Sequence, residues 1–95
     1  MELSYIIKQA RESKDLLMRE LAAKIEIDIA TVSKFEKGDR NPTRPQILKL
    51  SEVLELDVNK LLTLWLRDKI LNEVQGEENA LKALKMATTS IKDKI

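Results

Sequence analysis

An all-α fold is predicted, and three observations predict it. Only two Gly and two Pro interrupt 95 residues in which Leu, Ile, Lys and Glu are abundant. Apolar residues recur at spacings of three and four, the period of one helix face. Finally, residues 17–36, LMRELAAKIEIDIATVSKFE, carry two short helical patterns with only Ile25-Glu26-Ile27 between them. That link is too short for antiparallel packing, so the two helices must cross steeply, as in a helix-turn-helix.

A first helix is expected over about residues 2–13, with Leu3, Ile6, Ile7 and Ala10 on its apolar face. In the second, Leu21, Ala22 and Ile25 form one stripe. Asp28 offers a side-chain oxygen to the free amides opening the third helix, about 28–37, and Val32 and Phe35 point inward by their i, i+3 spacing. Ala30, Ser33, Lys34 and Lys37 then face outward, while Ile29 fits either side. Gly38 and Pro42 end that helix. Thr43 caps a fourth helix running to Leu54, whose core face is Ile47, Leu50, Ser51 and Leu54. Leu56 packs, and Asp57 caps the fifth helix, about 58–74. This helix is too apolar for one face: Leu61, Leu62 and Trp65 form one stripe, and Leu64, Leu66, Ile70, Leu71 and Val74 another that needs a cover. Gly76 stops it, and Glu77 and Glu78 favour a sixth helix with Ala80, Leu81, Leu84, Ala87, Ile91 and Ile95 along one side.

The chain resembles the Cro/repressor-type helix-turn-helix family, also called the xenobiotic response element family. The resemblance rests on Ile7-x-x-x-Arg11, Leu21-Ala22, Thr31-Val32-Ser33-Lys34-Phe35-Glu36-Lys37-Gly38 and Arg40-Asn41-Pro42, and resumes at Ile47-Leu48-x-Leu50-Ser51-x-Val53-Leu54. It implies a five-helix repressor-like domain, here with an additional C-terminal helix: residues 1–66 for DNA binding and 67–95 as a helical extension for dimerisation. It implies that Arg11 and Glu36 pair, tying the first helix to the third. The third helix is implied to read base edges, with Ile29, Ala30, Thr31 and Ser33 toward the groove and Lys34, Lys37, Arg40 and Arg44 toward phosphates or bases.

The sequence departs from the family pattern in three places. Leu17 occupies the usual Ser or Thr cap of the second helix, so Asp15 is expected to cap it instead. Met18 replaces a glutamine that often holds a phosphate, and Arg19 is the candidate substitute. Glu26 stands where many relatives carry the turn glycine, and Glu55 does the same at the later turn. With no Gln, Asn or Arg on the outer face of the first two turns of the third helix, bidentate base readout is sparse, and phosphate contacts and DNA shape carry more weight.

The formal charge of +1 conceals an asymmetry. Residues 29–49 hold five cations (Lys34, Lys37, Arg40, Arg44, Lys49) against two anions (Glu36, Asp39), net +3, whereas residues 50–95 hold seven against eight. Positive charge is thus concentrated beside the third helix. The absence of Cys and His removes disulfides, the usual zinc sites and the commonest acid–base and nucleophilic groups. There is no Gly-rich phosphate loop either, so an enzyme is not expected, nor a cofactor or small-molecule ligand. The first residues carry no charged region followed by an apolar one, and no apolar run reaches the length of a membrane span, so a cytoplasmic protein is expected.

These readings converge on a DNA-binding transcriptional regulator that contacts double-stranded DNA as a homodimer on an inverted repeat. It would be a restriction-modification controller or a small phage-type repressor. The dimer face is expected from Leu64, Trp65, Ile70, Leu71 and Val74 on the fifth helix and Leu81, Leu84 and Ile91 on the sixth. The alternatives are a DNA-binding antitoxin, whose last helix masks a toxin, and a helical protein-interaction module in which the helix-turn-helix is only a scaffold. If instead the sixth helix folds back on the fifth, the dimer face is not needed.

Overall fold

The apolar spacings resolve into six helices in a computed structural model that describes residues 2–95. They are α1 (Glu2–Ser13), α2 (Met18–Lys24), α3 (Ile29–Lys37), α4 (Arg44–Leu54), α5 (Val58–Val74) and α6 (Ala80–Asp93), with no strand among the described residues. Three caps form as the residue types dictate. Asp28 accepts from the Thr31 amide at 2.7 Å, and Asp57 accepts from the amides of Asn59 and Lys60 at 2.9 and 3.1 Å. Thr43 and Gln46 satisfy one another's amides reciprocally, with Pro45 in the first turn, where no amide is needed.

The cap of α2 differs from expectation. Asp15 does not cap it: Leu17 is the cap residue, and its side chain accepts nothing. Glu20 in the first turn reaches back and accepts from the Leu17 amide at 2.8 Å, supplying one half of a capping box. Asp15 is used differently, in the turn itself, with a left-handed backbone (φ 57°). Glu26 (φ 60°) and Glu55 (φ 56°) adopt the same conformation, each of which costs a non-glycine residue roughly 1 kcal/mol. Both glutamates reach a lysine: Glu26 accepts from Lys49 at 3.4 Å and Glu55 from Lys14 at 2.8 Å. The Lys14 contact holds the Glu55 carboxyl below the usual carboxylate range.

The core gathers one stripe from each of the first five helices. Leu3 and Ile7 of α1 meet Leu21, Ala22 and Ile25, then Val32 and Phe35 of α3, with Ile47, Leu50 and Leu54 of α4 closing one side and Leu61 and Trp65 of α5 the other. α3 packs on both α1 and α2, and α5 packs on α4 and α1. Burying Val32 and Phe35 leaves the opposite side of α3 at the surface, because the helical period puts them on one stripe.

α5 belongs to two regions. Its first three turns close the core, and Asp68, with a side chain wholly buried, still lies inside the body. Arg67 donates to Asp68 Oδ1 at 3.0 Å and to Glu2 at 2.6 Å, linking α5 to the start of α1, and Asp68 Oδ2 has no hydrogen-bond partner among the described residues. The expected division at residues 66 and 67 therefore crosses a continuous helix. Beyond Asp68 full burial ends: Ile70 and Leu71 are exposed, and α6 has no buried residue. The overall extents of 43 × 29 × 20 Å reflect this projecting arm.

Candidate nucleic-acid interface

Two devices aim α3 outward. At its start the Asp28 cap fixes the first turn, and hydrogen bonds from Thr31, with Lys34 and Arg40 nearby, hold the Asp28 carboxyl below the usual aspartate range. At its end Gly38 (φ 79°) takes the left-handed position, and its amide closes on the last turn. Behind the helix lies the Arg11–Glu36 pair. Arg11 Nε donates to Glu36 Oε2 at 2.6 Å and Arg11 Nη2 to Oε1 at 3.0 Å, a bidentate fork with both side chains buried. The third guanidinium nitrogen donates to the Leu16 carbonyl at 2.7 Å. One side chain thereby joins α1, the α1–α2 turn and α3, and the Glu36 contact raises the Arg11 pKa above its ordinary value.

On the outer side, Ile29 is 51% exposed, which resolves its ambiguous spacing in favour of the surface. Ala30, Lys34 and Lys37 are exposed beside it, with Thr31 and Ser33 half-buried between. Arg40 follows in the loop, Arg44 opens α4, and Arg19 lies exposed on α2. Among the described residues, none of Arg19, Lys34, Lys37, Arg40 and Arg44 enters an ion pair, whereas Lys14, Lys49 and Arg67 all do. Every basic side chain expected at DNA is thus free to meet an anion. Lys49, counted in the basic stretch, is engaged by Glu26.

The second expected site divides. Leu64, Val74 and Leu84 are half-buried, and Ile70, Leu71, Leu81 and Ile91 are exposed. Trp65 does not belong with them. It is 5% exposed, its ring lies in the core, and its indole Nε1 donates to the Pro42 carbonyl at 2.7 Å. The spacing that puts Trp65 on the stripe of Leu61 decides the matter: that stripe faces the body, so Trp65 cannot also face a partner. The ring carries two cations, Arg44 at 5.0 Å and Lys69 at 4.4 Å from its centroid. Lys69 escaped the sequence reading, although its i+4 spacing from Trp65 was the available signal.

No three residues among His, Cys, Asp and Glu come together to hold a metal ion among the described residues. No helix of the described residues is long and apolar enough to cross a membrane.

Residues 7–61 match the helix-turn-helix family, from the second turn of α1 into the start of α5. The chain belongs to that family, in its Cro/C1-type branch, whose members are DNA-binding transcriptional regulators and not enzymes. It is 24% identical over 98 residues to the cryptic phage CTXphi transcriptional repressor RstR of Vibrio cholerae serotype O1, over 96% of this chain and 88% of that protein. Among solved structures it is similar in fold to a chain of the SinR protein/SinI protein complex. That match has a TM-score of 0.58 at 22% identity and covers 98% of this chain and 99% of the other. Both likenesses extend into α6, beyond the end of the family match.

Proposed function

We propose that the protein is a sequence-specific transcriptional repressor of the small phage type, acting as a homodimer on an inverted-repeat operator. α3 lies in the major groove with Ile29, Ala30, Thr31 and Ser33 toward the bases. Arg19, Lys34, Lys37, Arg40 and Arg44 neutralise phosphates around it. The observation that carries the reading is the unburied side of α3, framed by basic side chains that form no ion pair among the described residues. Ile29 and Ala30 suit thymine methyl groups, and Ser33 suits either a base edge or a phosphate. With so few bidentate donors, much of the discrimination comes from DNA shape.

The homodimer is formed by the arm. Ile70 and Leu71 on α5 and Leu81 and Ile91 on α6 are exposed apolar side chains that the body leaves uncovered, and a second copy related by a two-fold axis covers them. A two-fold protein requires half-sites with centres about 34 Å apart, or a multiple of that. A repressor is favoured over a restriction-modification controller because the arm is longer than the most compact controllers need, and because the relative named above is a phage repressor.

Selection of bound fragments from random duplex DNA, with the mass of the protein measured in solution alongside, tests the whole reading. A palindromic motif and a dimer mass are expected. A monomer that selects no motif overturns it. A mass showing that the arm takes up a different protein in place of a second copy overturns the homodimer alone.

A further inference from the structure

We infer that Lys69, staged with Arg44 on the indole of Trp65, joins Arg44 in binding the phosphates of the DNA backbone and so extends the DNA-binding surface from α3 and α4 onto α5. This rests on the reading of the protein as a duplex-DNA binder. Trp65 is held in place twice, by burial of its ring in the core and by its hydrogen bond to the Pro42 carbonyl, so the ring is a rigid platform. Arg44 sits 5.0 Å and Lys69 4.4 Å from its centroid, within the range at which a cation is attracted to an aromatic ring. Whichever faces they use, the two cations are separated by no more than the sum of those distances.

That arrangement is one the isolated protein does not neutralise. Neither cation enters an ion pair among the described residues, although Asp68 lies next to Lys69 in sequence. Asp68 is buried and engaged by Arg67. The ring offsets part of the repulsion between the two cations and limits their rotamers. Less side-chain entropy is then lost when an anion binds.

The position identifies the anion. Pro42, to which the ring is fastened, ends the loop that leaves α3, and Arg44 begins the next helix. An anion that meets Arg44 therefore lies beside the duplex that α3 enters, and Lys69, over the same ring, is close enough to meet that strand as well, which makes a backbone phosphodiester of the same DNA the ligand. Lys69 and Arg44 are the binding residues, and Trp65 is a positioning residue that acts through them.

The experiment uses the full chain and a duplex obtained by selection against the unaltered protein, with affinity measured between 50 and 200 mM salt. Loss of one phosphate contact lowers the slope of log affinity against log salt by about 0.9, so the advantage of the unaltered protein over Lys69→Gln narrows by about three- to four-fold across that range. Lys69→Arg is expected to keep the original slope, and Lys92→Gln, on the arm, to leave it unchanged. Trp65 is the single tryptophan, so its emission reports the ring directly. DNA binding is expected to change that emission in the unaltered protein and to change it less in Lys69→Gln. A wild-type slope in Lys69→Gln, or a slope lost equally in Lys69→Arg, overturns the inference while leaving the regulator reading intact. Failure of the unaltered protein to bind any duplex overturns the reading on which it rests.

Discussion

The body of this protein and its arm are written in the same amino-acid alphabet and reach opposite outcomes. In the body, α1 to α5 each bury one stripe, and Leu21, Val32, Ile47 and Leu50 lose all contact with solvent. The arm also carries a periodic apolar face, yet Leu81 remains 67% exposed and α6 buries nothing. An amphipathic helix states that it needs a partner surface and not where that surface is. Five helices find theirs within the chain. The sixth half-buries Ala80 and Leu84 and leaves Leu81 and Ile91 exposed.

The comparison can be broken or sharpened in four ways. The largest effect is expected from Glu36→Ala, which strands the Arg11 guanidinium among buried groups and should lower unfolding stability by about 3–5 kcal/mol. Replacing both partners with apolar residues, Arg11→Met with Glu36→Leu, should recover most of that loss in urea denaturation. If the double variant is as unstable as the single one, the pair contributes more than the cost of an unpaired charge. Next, Leu50→Ala should cost about 2–5 kcal/mol by opening a cavity in the body. Leu81→Ala in the arm should change the stability of dilute protein by less than about 0.5 kcal/mol. At higher concentration the same Leu81 variant should shift sedimentation toward the monomer. Equal costs for Leu50 and Leu81 in dilute solution would erase the distinction between body and arm.

A smaller loss is expected at the cap of α3. The Asp28 carboxyl titrates below its ordinary range in the folded protein because Thr31 hydrogen-bonds its ionised form. Its contribution is therefore fully present above the unfolded aspartate pKa of about 3.9 and is lost as pH falls through the lower folded value. Asp28→Ala should accordingly melt below the parent at neutral pH, and the two melting temperatures should converge in strong acid. The smallest effect should carry the opposite sign. Glu26→Gly relieves a left-handed glutamate and loses only the exposed Lys49 contact, so it should raise stability by up to about 1 kcal/mol.

Much of the site was legible because its signals are local. Asp28 before an i, i+3 apolar pair, Gly38 at the end of the same helix and the three-residue link before it each act within a turn or two of backbone. The structure places α3 accordingly, with Val32 and Phe35 inside. The cap of α2 was misread because a carboxylate near a helix start looks like a cap. In the fold, Asp15 is spent on the turn and Glu20 supplies the hydrogen bond. Trp65 was assigned to the partner face because α5 carries adjoining apolar stripes. Periodicity groups residues into stripes without saying which stripe meets the body.

By itself, the sequence determined the number and type of helices, the caps at Asp28, Thr43 and Asp57, and the short link between α2 and α3. These depend on backbone hydrogen bonding and side-chain spacing within a few residues. Only the tertiary structure decided that Ile29 faces outward, that Trp65 is fastened to Pro42 and carries Arg44 and Lys69, that Asp68 belongs to the body, and that none of the residues of α6 is fully buried. Each of those outcomes depends on which of two apolar surfaces is covered by residues far away in the chain, a competition of buried area that no local pattern encodes.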